Sequence, residues 1–120
     1  MMDETDQLFD AVAVYFHVLS EPMRLKIMRS ICQEEKSVNQ IVEEVEGGQA
    51  NVSRHLKLMF QHGVVAKRKD GTQVLYRLSD PTMVDICRTV CTMIAGRIDD
   101  SQPMRNQLLK LIPNRSKKVA

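Results

Sequence analysis

The sequence predicts a mainly α chain with one small β-hairpin, an α+β winged helix-turn-helix in the order α-α-α-α-β-β-α. Three observations carry this expectation. Residues 49–62 place Val52, Leu56 and Met59 at i, i+4 and i+7, the spacing of one buried helical face. Ahead of them a short helical pattern stops at Gly47-Gly48, the kind of join that lets two helices turn tightly on each other. Behind them, two β-rich runs flank Asp70-Gly71, the strongest short hairpin signal.

Taken in order, Asp6 to about Val18 reads as a helix with Leu8, Phe9, Val12, Tyr15 and Phe16 on one side. Ser20-Glu21-Pro22 reads as a helix start, with Ser20 as N-cap and Pro22 in the first turn, where a missing N–H costs nothing. The second helix runs from Pro22 to about Gln33 and is expected to bury Leu25, Met28, Ile31 and Cys32. Ser37-Val38-Asn39-Gln40 has the form of a capping box and opens a third helix on Val38, Ile41, Val42 and Val45. The fourth ends near His62, with Gly63 at the left-handed position that closes many helices. Val64–Lys69 and Thr72–Leu78 form the hairpin. Asp80-Pro81 opens a last long helix to about Arg97, striped by Met83, Ile86, Cys87, Val90 and Ile94. A short helix over Met104–Ile112 precedes a frayed end.

At 120 residues the chain is expected to build one core, within a single domain over residues 1–100, with 101–120 as a basic extension. With no Trp, two Tyr, three Phe and eight Met, that core is aliphatic. The net charge of +2 is unevenly spread. Residues 1–48 are acidic on balance, whereas 49–78 set Arg54, Lys57, Lys67, Arg68, Lys69 and Arg77 against Asp70 alone, and the C-terminus is again basic. Such clustering is the footprint of a nucleic-acid face. No apolar run reaches the roughly 18 residues that span a bilayer, and the acidic N-terminus is unlike a secretion signal. A cytoplasmic protein without a membrane partner is expected, its three cysteines reduced at rest.

The fourth helix leaves Gln49, Asn51, Ser53, Arg54 and Lys57 off its apolar side and carries no acid. These are the donors and acceptors that read base edges: Gln49 or Asn51 suits adenine, Arg54 guanine or phosphate, Lys57 phosphate. The hairpin would set Lys67, Arg68 and Lys69 beside the same groove. His55 sits at the edge of the buried face, where a hydrogen-bonded ring orienting the helix is the plainer reading. Nothing suggests an enzyme: there is no phosphate-cradling glycine loop and no Ser–His–Asp signature. The competing class is a winged-helix protein-interaction module with structural cysteines and no inducer.

Leu19-Ser20-Glu21-Pro22-Met23-Arg24-Leu25-Lys26-Ile27, Gln49 through Leu58, and the wing from Gly63 to Leu78 resemble the ArsR–SmtB family of bacterial winged-helix repressors. The resemblance covers roughly residues 8–98. It implies a C2 homodimer paired through the first and last helices, binding an inverted-repeat operator in double-stranded DNA until an inducer releases it. The family's DNA-contacting positions fall on Gln49, Asn51, Ser53 and Arg54, with wing contacts around Lys67 to Lys69.

The chain departs from the family's metal sensors. The Cys-x-Cys of the cadmium/lead site is replaced by Ser37 and Asn39. On the last helix Thr82 and Met93 stand where the zinc/nickel ligands belong, and no histidine lies beyond His62. In their place are Cys87 and Cys91, at i and i+4 with Cβ atoms about 5–6 Å apart. That is too far for an unstrained disulfide, whose Cβ separation is roughly 3.5–4.5 Å. The pair suits a large thiophilic ion, As(III) or Sb(III), with Cys32 as a third thiolate. The sulfur-sensing members of the family suggest instead a disulfide or polysulfide bridge from Cys32 to Cys91 or Cys87. The third alternative is that all three are small buried hydrophobes.

Overall fold

The computed structural model describes residues 3–97 and 103–111. The chain divides into two compact units, Met1–Ser79 and Asp80–Ala120. The first holds α1 (Glu4–Val18), α2 (Pro22–Ile31), β1 (Lys36–Ser37), α3 (Val38–Val45), α4 (Gln49–Gln61), β2 (Val65–Asp70) and β3 (Gln73–Leu78). The second holds α5 (Thr82–Ala95) and α6 (Pro103–Leu111). No described helix is long and apolar enough to cross a membrane.

The core of the first unit lies where α2, α3, α4 and the base of β2 pack together. Ile27, Met28 and Ile31 come from α2, Ile41 and Val45 from α3, Val52, Leu56 and Met59 from α4, and Val64 and Val65 from the strand entry; all are buried. Each such side chain contributes about 1.5–3 kcal/mol relative to exposure. On α2 the buried register differs from expectation. Leu25 is 42% exposed while Ile27 is fully buried, so the stripe facing α3 and α4 runs through Ile27, Met28 and Ile31. Val38 and Val42 of α3 are only half-buried.

Helix ends follow local chemistry, with corrections. Asp3 caps α1, its carboxylate accepting the Asp6 N–H at 2.8 Å. Ser20 does not cap α2: its hydroxyl donates to the His17 carbonyl at 2.7 Å, closing α1, and Glu21 occupies the N-cap position without a side-chain bond. Helix α2 ends at Ile31 rather than Gln33, with Cys32 as its C-cap. The capping box on α3 forms as expected: the Ser37 hydroxyl accepts the Gln40 N–H, and the Gln40 side chain accepts the Ser37 N–H. At the far end of α3 the left-handed residue is Glu46, with φ 54°, one position before the expected glycine. Gly47 serves another purpose. A Cβ there would lie 3.1 Å from Val52 and 3.2 Å from Met23, so the bare backbone permits the close turn between α3 and α4.

The hairpin pairs Val65 with Leu78 through Asp70 with Gln73 in antiparallel register, and Gly71 at φ 65° supplies the turn. A third strand is absent from the sequence reading. Lys36 and Ser37 form β1 on the outer edge of β3, giving the order β1-β3-β2. Ser30 is buried on α2 because it has a partner: its hydroxyl donates to Glu44 at 2.7 Å, while Lys36 binds the other carboxylate oxygen at 2.5 Å. Lys36 and Ser30 together hold the Glu44 carboxyl below its ordinary range.

In the second unit, the Asp80 carboxylate accepts the Thr82 N–H at 2.9 Å and so opens α5. Met83, Val84 and Ala95 are buried, Ile86 and Cys87 half-buried, and Val90, Met93 and Ile94 exposed. The expected C-terminal helix forms as α6, and Ile112 and the charged residues beyond it lie outside the described residues.

Candidate nucleic-acid interface

Helix α4 buries Val52, His55, Leu56 and Met59, as its apolar spacing demands. The opposite side is open: Gln49, Ser53, Arg54 and Lys57 are exposed and Asn51 is half-buried. Its N-cap is Gly48, with no side-chain cap and no acid in the first turn. The positive pole of the helix is therefore unblocked, an arrangement that favours phosphate. Arg54 and Asn51, one turn apart, are joined by a hydrogen bond from the guanidinium to the amide oxygen at 2.6 Å.

His55 is 6% exposed. Burial holds its imidazole below the ordinary value, and the nearby Arg54 and Arg24 guanidinium groups push the same way. Among the described residues its ring forms no hydrogen bond, so packing rather than a polar anchor sets its place on the helix.

The wing separates charges that the sequence groups together. Strand side chains alternate faces, so Lys67 and Lys69 share one face of β2 and Arg68 takes the other. Arg77, opposite Ala66, lies on the Arg68 side. The Lys67 ammonium sits 4.4 Å from the centre of the Phe60 ring at the end of α4, a cation–π contact that fastens the wing base to this helix. Arg68 is differently engaged. Its Nε donates to both Glu35 carboxylate oxygens at 3.0 Å, and its terminal nitrogen also binds Glu35. Glu35 accordingly raises the Arg68 pKa further. Lys69 and Arg77 are exposed. Phe60 and Glu35 carry no assignment in the sequence reading, and Arg77 counts there only toward the basic block of residues 49–78. Glu35 and Arg68 stand 33 positions apart, and only an exposed aromatic near the end of an amphipathic helix hinted at Phe60.

The cysteines fall in both units. Cys32 is half-buried at the C-cap of α2, where burial pushes its thiol pKa up despite Arg29 and Lys36 nearby. Cys87 and Cys91 are half-buried on one face of α5. None is in a disulfide, and the described residues contain no cluster of three or more metal-ligating side chains.

This architecture and its sequence have relatives. The model of the family described as "Bacterial regulatory protein, arsR family" matches residues 21–67, which run from the start of α2 into the wing. Residues 21–67 are thus an arsR-family helix-turn-helix region. The chain is 34% identical over 77 residues to the "Probable mercury resistance operon repressor" of Streptomyces lividans, covering 64% of this chain and 62% of that protein. The chain thus spans less than two thirds of that repressor's length. The crystal structure of Rv0081 from Mycobacterium tuberculosis superposes with a TM-score of 0.68 at 26% identity, covering 74% of this chain and 90% of the other. A homodimeric winged helix-turn-helix domain from Mycobacterium bovis gives a TM-score of 0.71 at 22% identity, over 85% of this chain and 97% of that one. The fold of this chain is a winged helix-turn-helix, mostly helical with a small antiparallel sheet.

Proposed function

We propose that the chain is a transcriptional repressor that binds an inverted-repeat operator as a homodimer. The observation that carries this reading is the open face of α4: Gln49, Ser53, Arg54 and Lys57 are exposed without a single acid on the helix. Gln49 suits an adenine edge, Arg54 a guanine, and Lys57 a phosphate. Lys67 and Lys69 on the wing follow the backbone, and Arg77 joins them. Dimerisation is supported by the uncovered apolar side of α1, where Leu8, Phe9, Val12 and Phe16 are each more than half exposed. Such a row on a single chain suits burial against a second copy. Residues 1–100 would then form the DNA-binding and dimerisation region, with 101–120 as a basic extension. Selection from a pool of random duplexes is expected to enrich an inverted repeat whose half-sites lie about 10 base pairs apart, one helical turn. A pool left unenriched overturns the reading.

The inducer is proposed to act on the thiols. Cys87 and Cys91 share a helix face, and the name of the Streptomyces lividans relative links it to mercury, an ion of the same thiophilic class. Arsenite or antimonite bound by these thiols, or their oxidation by sulfane sulfur, would release DNA only by favouring a dimer geometry that no longer fits the operator. Cys32 is a further thiol for either chemistry. The variant Cys87→Ser with Cys91→Ser is expected to keep operator affinity within about twofold and to lose release by arsenite or polysulfide. Mass spectrometry separates the chemistries, since retained metalloid, loss of two hydrogens and added sulfur are distinct masses. Unchanged release from the double variant would return both cysteines to a packing role.

A further inference from the structure

We propose that Asn51 is a positioning residue that holds Arg54 in place to read a guanine in each half-site, and that it reads no adenine itself. The inference rests on α4 being the DNA-reading helix. Asn51 and Arg54 stand at i and i+3, neighbours on the helix surface, and the Arg54 guanidinium donates to the Asn51 amide oxygen at 2.6 Å. Arginine offers only donors, so the atom facing it must be the oxygen and the orientation of the amide is settled by chemistry.

Two consequences follow. A bidentate adenine contact needs the amide plane turned so that its oxygen and its nitrogen both face the base. The bond to Arg54 fixes that plane along the helix instead, and Asn51, half-buried, projects less than its exposed neighbours. Arg54 gains what Asn51 gives up. Its long side chain is flexible when unattached, and a planar fork held beforehand loses less freedom on forming a further pair of bonds. One N–H is used by Asn51, which leaves the rest of the fork for the O6 and N7 acceptors of guanine. No acid competes for it on α4. Adenine reading then passes to Gln49, exposed at the start of the helix.

The test is selection from random duplexes with the full chain and three variants, read as the preference for each base at each position. The unaltered chain is expected to enrich a guanine in each half-site, and Arg54→Lys to lose about tenfold or more of that preference, as expected for loss of a bidentate pair. Asn51→Ala is expected to weaken the preference at the same guanine by about three- to tenfold, leaving all other positions unchanged. Asn51→Asp, which keeps an acceptor at that point, is expected to retain the preference even where its added charge lowers affinity overall. If Asn51→Ala instead relaxes an adenine elsewhere and leaves the guanine intact, Asn51 reads a base directly and the proposal is overturned. If the unaltered chain enriches no duplex, the assignment of α4 itself fails, and the proposal with it.

Discussion

Raising salt from about 50 to about 200 mM is expected to weaken operator binding by about 10⁴-fold. The expectation comes from counting the cations able to meet phosphates. Lys57, Lys67, Lys69 and Arg77 are exposed on the reading side or the wing. Arg54 is assigned to a base, and Arg68 is neutralised by Glu35. A dimer with these four on each protomer neutralises about eight phosphates, which gives a log–log slope of about −7. The ion pair supplies an internal control. Glu35→Gln frees Arg68 in both protomers and is expected to steepen the slope by about 2. Titrating a labelled operator duplex at several salt concentrations measures both. A flat response would remove the phosphates from the account and favour a protein-interaction module.

Leu56→Ala is expected to lower the unfolding free energy by about 2–5 kcal/mol. Leu56 is fully buried on α4, the helix that packs against α2, α3 and β2 at once, so no single neighbour can move in to fill the space. Against a total of about 5–15 kcal/mol for a domain of this kind, the loss is large. Urea unfolding followed by circular dichroism would show it as a lower midpoint. Because Leu56 lies on the side away from Arg54 and Lys57, the molecules that remain folded should bind DNA as before. A loss below about 1 kcal/mol would mean that the helix is not seated where the core places it.

How much of this could be read beforehand depended on how local the cause was. Val52, Leu56 and Met59 marked the buried face of α4 because helical period alone separates inside from outside. Ser37 with Gln40 marked the start of α3, and Asp70-Gly71 the turn of the hairpin, because a few adjacent residues suffice for each. Leu25 misled, since Leu25 and Ile27 are equally apolar and only the position of α3 and α4 decides which one is covered. Ser20 looked like a cap to the following helix and instead closes the preceding one, a choice between two neighbouring carbonyl and amide groups. The two-residue strand Lys36–Ser37 had no periodicity to announce it. At the interface the individual basic residues were legible but their division was not. Strand alternation splits Lys67 and Lys69 from Arg68, and a glutamate 33 residues away removes Arg68 from the free cations. The Asn51–Arg54 bond was within reach of i, i+3 reasoning, yet both residues were weighed there as separate readers of DNA.

Ser37 is at once the last residue of β1 and the N-cap of α3. The strand that edges the hairpin therefore runs without a spacer into the first helix of the turn motif, while Lys67 on Phe60 clasps the other strand to α4. Sheet and helices are buckled together at two points, so the hairpin is no independent flap. If the chain does release an operator on a signal, as proposed, loosening a wing would gain little; the expected change is in the spacing or tilt at which the two heads of a dimer are offered to the double helix.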